Sequence, residues 1–254
     1  MKRAALLITL ILAFTATPTF ADLYGGTGLL QQTGSVGATN YSSGVGGEFT
    51  ISSSTLSTSE YLPGITSEIK GQLNSFQTFC IEGKEYVPNT TIEIQISTTS
   101  INESTGVVGP EGSGSHAING GKTYGDNLDP MTAYLYTNFV KGTLSNYDYF
   151  GFTVGRDFSA GQLQNAIWYL EGEIGSLVAN SQADLWVQEA QNAGWNDIGN
   201  VRVLNNWAEG HIGDPEFRMQ DQLYLTPTPV PIPTSVILGL LGMGVVGMKL
   251  RKYA

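Results

Sequence analysis

Apolar and polar residues alternate along several short stretches of the chain, a pattern with the period of two that predicts β-strands. The clearest stretch is 90–98, in which isoleucines at 92, 94 and 96 would face one side of a sheet and polar residues the other. Further strands are predicted at 46–51, 75–81, 200–204 and 222–225. Residues 22–47 are rich in Gly, Ser, Thr and Asn, which predicts short strands and turns.

In the middle of the chain the apolar spacing changes to that of helices. Asp129-Pro130 has the sequence of an N-cap followed by proline at the first helical position, and the apolar residues from Met131 to Phe139 recur at intervals of four. Gly142 would end this helix. Another helix is predicted from Ser181 to Gly194, again with a capping residue at each end.

Between these two lies a predicted helix over 159–171, with Ser159 as its N-cap and an apolar stripe at positions 163, 167 and 170. Gln164 and Trp168 form an i,i+4 pair beside the stripe. A glutamine next to a buried stripe has two interpretations. Either its amide reaches solvent at the rim of the core, or the amide has been consumed by a chemical reaction, because an unpartnered amide is costly to bury.

The order of the elements predicts the fold class. Strands come first, about three helices are inserted in the middle of the chain, and strands finish it. This order is typical of an α+β domain built on an antiparallel β-sheet or sandwich. We expect one domain over 22–225 with Ile94, Leu135, Leu163 and Ile167 in its core.

Both ends of the chain have the composition of targeting segments. Residues 1–21 combine a basic start, an apolar run and small residues before position 22, which predicts a signal peptide cleaved after Ala21. Residues 226–254 contain a proline-rich spacer, a short apolar run at 236–248 and a basic tail. This arrangement resembles the bacterial PEP-CTERM sorting signal, with Ile232 in place of the glutamate of its Pro-Glu-Pro core. The alternative is a plain tail anchor.

The resemblance to PEP-CTERM implies processing by an exosortase. It also implies an exported protein at the cell surface or in the extracellular matrix. The segment 236–248 would be a short transmembrane helix that holds the chain in the inner membrane only transiently, before processing. The formal charge of −10 among 254 residues argues against nucleic acid and against an anionic membrane surface as partners.

Several kinds of catalytic or metal site have weak support in the sequence. No Cys or His cluster has the spacing of a metal site, and no cofactor is expected. A Cys–His protease, a glycosidase and a calcium site lack the local signatures of those functions, and the aromatic residues of 134–152 are more often used in packing than in sugar binding. The residues that these alternatives would use are Cys80, His116 and His211, then Glu171 and Glu173, then Asp126, Asp129 and Asp214.

Cys80 is the only cysteine of the chain, so no intramolecular disulfide is available to it. Its neighbours, Phe79-Cys80-Ile81-Glu82, and the stretch Leu163-Gln164-Asn165-Ala166-Ile167-Trp168 together resemble the two motifs of the bacterial surface thioester domain. Leu163 stands where that family usually has threonine. The resemblance implies that the Cys80 thiol displaces ammonia from Gln164 to form an internal thioester, which Trp168, Phe79 and Ile167 would shield and support.

A thioester of this kind implies an adhesin that is not an enzyme. It would form one covalent link to an amine-bearing surface protein or polysaccharide. The alternative is a structural protein of the extracellular matrix or biofilm that carries no reactive bond. In that case Cys80 would be an inert buried residue and Gln164 an ordinary rim glutamine.

Overall fold

The computed structural model describes residues 31–42, 46–53, 56, 60–62, 75–83, 91–100 and 127–228, with the backbone alone for 31–40 and 215. The predicted signal peptide, residues 101–126 and the predicted sorting tail from residue 229 lie outside these residues. The described part contains β1 (Gln31–Ser42), β2 (Gly47–Ser52), β3 (Ser75–Thr78), β4 (Thr91–Ser97), α1 (Pro130–Val140), α2 (Arg156–Leu170), α3 (Gln182–Ala193), β5 (Val201–Ala208), a 3₁₀ turn (Pro215–Phe217) and β6 (Arg218–Leu225).

The strands form an antiparallel sheet in the order β3-β2-β1-β4-β5-β6. Strand β1 joins its two halves, because residues 35–42 pair with β2 whereas residues 31–35 pair with β4. Three helices lie between the first four strands and the last two. The predicted α+β class, with an antiparallel sheet and about three helices in the middle of the chain, is confirmed.

The two edges of this sheet meet. Beyond the end of β3, the Ile81 N–H donates to Asp221 O at 3.0 Å and the Leu223 N–H donates to Phe79 O at 3.2 Å. Between these bonds Cys80 and Gln222 form an isolated antiparallel bridge. Joining the edges satisfies backbone groups that an open sheet would leave unpaired.

Alternation of side chains then separates two environments along this segment. Phe79 packs edge-on against Phe139 of α1, with ring centroids 5.0 Å apart, and belongs with Ile81 to the main core under the helices. Cys80 faces the other way and packs with Phe49 and Trp168 in a small separate cluster. The chain at 79–81 therefore divides the large core from this cluster.

The predicted core is confirmed, because Ile94, Leu135, Leu163 and Ile167 have no exposed surface. The caps of α1 and α3 also match the sequence: Asp129 accepts a hydrogen bond from Met131 N, Ser181 accepts one from Asp184 N, and the C-cap Gly194 is left-handed. Caps depend on residues within one turn, which explains why the sequence reveals them.

Two local predictions are wrong. Residues 31–42 form one twelve-residue strand where short strands and turns were expected, because β1 pairs with β2 and β4 at once. Helix α2 begins at Arg156 and not after Ser159. Ser159 lies inside the helix, where its hydroxyl accepts a hydrogen bond from Asp148 N at 3.1 Å. None of the helices in the described ranges is long and apolar enough to cross a membrane.

The burial of the α2 stripe predicts a contrast between two leucines. Leu163→Ala should lower the free energy of unfolding by about 2–5 kcal/mol, because Leu163 is fully buried and its removal leaves a cavity. The matched change Leu185→Ala on α3, where 44% of the leucine is exposed, should cost far less. Urea unfolding of both variants measures the difference, and equal losses would place the stripe outside the core.

Candidate functional site

The candidate site lies where β2 and β3 separate. The two strands pair from Ser52 with Ser75 as far as Phe49 with Thr78. Beyond that point β2 remains paired with β1, while the chain after β3 turns to β6. A gap opens beside Cys80 on the side that β2 no longer covers.

The backbone of Cys80 faces this gap. In the bridge with Gln222, the hydrogen bonds to β6 are made by the neighbours of Cys80, namely the Phe79 carbonyl and the Ile81 N–H. Cys80 thus occupies a non-hydrogen-bonded position of the ladder, and its own N–H and C=O point away from β6. Buried backbone groups need partners, so something must fill the gap.

The Gln164 side chain of α2 fills it. Its Nε2 donates to the Cys80 carbonyl at 2.8 Å, and its Oε1 accepts from the Cys80 N–H at 3.1 Å. The carboxamide thus takes the place of a peptide group in the missing strand, eighty-four positions away in sequence. Gln164 is 1% exposed, so the interpretation as a rim glutamine with its amide in solvent is wrong.

The Cys80 thiol belongs to the residue whose backbone bonds this carboxamide. Its sulfur is three covalent bonds from the nitrogen that donates to Gln164 Oε1, and Cys80 is 3% exposed. Phe49 and Trp168 pack against Cys80. The structure therefore brings together Cys80, Gln164 and Trp168 in an apolar, solvent-poor environment.

Phe79 and Ile167, the other two predicted supporting residues, lie in the main core. Phe79 is adjacent to Cys80 in the chain but faces α1. Ile167 is fully buried and contributes to holding α2 against the rest of the fold. Both are part of the scaffold, whereas Trp168 alone of the three packs on Cys80.

Gly46 is a member of the site that sequence reasoning missed. A Cβ atom at this position would lie 2.4 Å from Gln164 Cγ and 2.8 Å from the Trp168 ring. Only glycine allows the chain before β2 to approach the Gln164 side chain this closely. Glycine at the start of the predicted strand 46–51 was the available signal, since a glycine within a strand pattern can mark a close backbone approach.

The N-terminal end of α2 is held by a buried ion pair. Arg156 donates from Nε to Glu48 Oε1 at 2.9 Å and from Nη2 to Glu48 Oε2 at 2.7 Å. The guanidinium lies 4.1 Å from the centroid of the Tyr41 ring. The Tyr147 hydroxyl also donates to Glu48, and burial together with the Glu48 charge raises the pKa of Tyr147, which keeps it protonated. This network joins α2 to β2 two turns before Gln164.

Asp148 organises the loop that leads into α2. Its carboxylate accepts hydrogen bonds from the backbone N–H groups of residues 152, 153, 154 and 155 at 2.6–3.0 Å. Burial by itself would raise its pKa, but these four donors outweigh that effect and lower the pKa of Asp148 to about 2. Gly155, the N-cap, has no side-chain cap of its own. The charge on Asp148 therefore helps to set where the Gln164 helix begins.

Four of the other candidate residues, His211, Asp214, Asp129 and Glu171, have structural contacts away from Cys80. His211 lies 3.8 Å from Asp214 and stacks on Phe217, while His116 and Asp126 lie outside the described residues. Asp129 caps α1, and Glu171 is buried and accepts a hydrogen bond from Asp129 N. Within the ranges that the structure covers, no group of His, Cys, Asp or Glu could hold a metal ion.

The close approach of Gly46 predicts the effect of adding one methyl group there. Gly46→Ala should destabilise the protein by about 1–3 kcal/mol, because the new Cβ overlaps Gln164 and Trp168. The control is Gly175→Ala, whose Cβ would meet nothing within 4 Å. Denaturant unfolding compares the two, and a neutral Gly46→Ala would contradict the packing described here.

The low pKa of Asp148 predicts a stability that depends on pH. The group has a lower pKa folded than unfolded, so it stabilises the protein above the unfolded value of 3.8, and this contribution is lost as pH falls towards 2. Asp148→Asn should therefore be less stable than wild type at neutral pH, and the difference should shrink on acidification. Thermal melts at a series of pH values test this. A difference that is the same above and below the transition would contradict it.

Comparison with known proteins gives no further assignment: no family model, no curated protein and no solved structure matches this chain.

Proposed function

We propose that Cys80 and Gln164 form an internal thioester, and that the protein uses it to attach covalently to amines on a surface protein or polysaccharide. The observation that carries the proposal is the pairing of the Gln164 carboxamide with the backbone of Cys80 in a buried site. It joins the Gln164 carboxamide to the backbone of the residue that carries the thiol, and the motif resemblance pairs these same two residues. Burial beside Phe49 and Trp168 would limit hydrolysis of the activated bond.

The arrangement suits the formation of the bond. The Cys80 sulfur would attack Cδ of Gln164, and negative charge would develop on Oε1 in the tetrahedral intermediate. Oε1 already accepts the Cys80 N–H at 3.1 Å, a contact of the kind that stabilises an oxyanion. The C–N bond then breaks, and the nitrogen departs as ammonia with the thiol proton. A C–S bond replaces the C–N bond, with no oxidant or reductant needed.

Attachment to a partner would repeat the exchange in the opposite sense. A primary amine attacks the same carbonyl carbon, an amide forms at Gln164, and Cys80 is released as a thiol. Each molecule reacts once, so the protein is an adhesin and not an enzyme. The proposed export to the cell surface or matrix, with exosortase processing of the tail, rests on the sequence patterns at 1–21 and 226–254.

A second function, that of a non-reactive matrix or biofilm protein, is favoured by one specific contact. Both Oε1 and Nε2 of Gln164 already form hydrogen bonds with the Cys80 backbone, so the glutamine completes the sheet without any reaction. In this case Gln164 is a structural residue, and Cys80 is a small apolar residue of the Phe49–Trp168 cluster. The two functions differ in whether ammonia has been lost.

Intact-mass measurement separates the two functions. The mass of the purified protein should be about 17 Da below the mass calculated from the sequence of the purified chain. Reaction with methylamine should bring the measured mass to about 14 Da above that calculated mass. A wild-type protein at its sequence mass that takes up no methylamine would support the structural function instead.

The control is Cys80→Ala. Both hydrogen bonds between position 80 and Gln164 are made by backbone atoms of residue 80, so this variant retains them and loses the thiol alone. It should fold, stay at its sequence mass and take up no methylamine. Gln164→Ala, with its fold checked by circular dichroism, should be equally unreactive.

A further inference from the structure

A second glutamine lies beside Cys80. Gln222 of β6 is opposite Cys80 in the bridge that joins the sheet edges. The pair is of the non-hydrogen-bonded kind, because Ile81 N and Leu223 N make the adjoining bonds. In such pairs the two side chains stand next to each other on the same face of the sheet. The Gln222 side chain therefore leaves the backbone beside the Cys80 side chain, on the face opposite Phe79 and Ile81.

The carboxamide of Gln222 is buried without a partner. The residue has no exposed surface, and neither Oε1 nor Nε2 has a hydrogen-bond partner among the described residues. Gln220, two residues earlier on the same strand, differs, since its Nε2 donates to Glu82 O at 2.5 Å. A buried amide that makes no hydrogen bond is unfavourable, and native proteins seldom contain one without a function or a bound molecule.

We infer that the Gln222 carboxamide binds the nitrogen that enters or leaves the Cys80–Gln164 bond. This inference rests on the proposed thioester and adds a residue that selects its reactant. Ammonia and primary amines carry N–H groups that can donate hydrogen bonds to Gln222 Oε1. Their nitrogen lone pair can accept a hydrogen bond from Gln222 Nε2 until the attack begins. The chemical class of reactant is then a primary amine at the end of an unbranched chain, such as a lysine side chain, because the site is enclosed.

The role is distinct from that of the Cys80 backbone. The Cys80 N–H polarises the carbonyl oxygen of residue 164, whereas Gln222 holds the nitrogen on the side of the thiol. When the thioester forms, Gln222 would accept a hydrogen bond from an N–H group of the departing ammonia. In attachment, it would hold the amine as its nitrogen attacks Cδ and its proton passes to the Cys80 sulfur that leaves.

Gln222→Met tests the inference, because methionine has a similar length and no amide. In protein with the thioester formed, methylamine uptake is followed by mass at increasing methylamine concentration. We expect the concentration for half-maximal rate to rise by about threefold to tenfold, the range of one hydrogen bond, with the limiting rate little changed. Gln222→Leu serves as the second variant if the first folds poorly.

Gln220→Met is the matched control. It removes a glutamine that already has a partner, so its melting temperature should fall while its response to methylamine stays that of wild type. Gln222→Met should melt at the wild-type temperature or above it, since it removes an unpartnered amide.

Two outcomes would overturn the inference, and they are distinguishable. If wild-type protein reacts with methylamine and Gln222→Met has the same half-saturating concentration, the thioester stands and Gln222 is merely the site of a buried water. If wild-type protein neither loses ammonia nor takes up methylamine, the proposed function itself fails.

Discussion

The pairing of the Gln164 carboxamide with the Cys80 backbone is the contact on which the rest of the site depends. Where β2 and β3 separate, the N–H and C=O of Cys80 lie in a solvent-poor environment. Groups of this kind are costly to bury without partners. The glutamine side chain supplies both partners at once, and it does so because it has the donor and acceptor geometry of a peptide group.

This requirement explains the neighbouring residues. The chain before β2 must pass close to the Gln164 side chain, so position 46 is glycine. Helix α2 must begin at the position that brings Gln164 to Cys80. The Arg156–Glu48 ion pair and the Asp148 carboxylate determine where it begins. Both act at the N-terminal end of α2, which has no capping side chain, but only the ion pair joins segments that are far apart in the chain. The helix is therefore placed by tertiary contacts more than by its own sequence.

The same contact serves either function. A glutamine that completes a sheet and a glutamine about to react with a thiol need the same position, beside Cys80 and away from water. What favours the reactive interpretation is the polar group on the other side of the thiol. Gln222 has no exposed surface and no hydrogen-bond partner in the described part of the chain, although Gln220 two residues earlier is well bonded. A purely structural interior would be more stable with an apolar residue there.

The sequence by itself determined the features that depend on nearby residues. Alternation over 90–98 predicted β4, and capping residues predicted the ends of α1 and α3, because these signals act within a few positions. Two short motifs also singled out Cys80 and Gln164. The tertiary structure alone decided that Gln164 is buried, that α2 starts at Arg156, and that Gln222 lies beside Cys80. Each of these depends on segments that are far apart in the chain, where two strands separate, where Arg156 of α2 meets Glu48 of β2, or where two sheet edges meet.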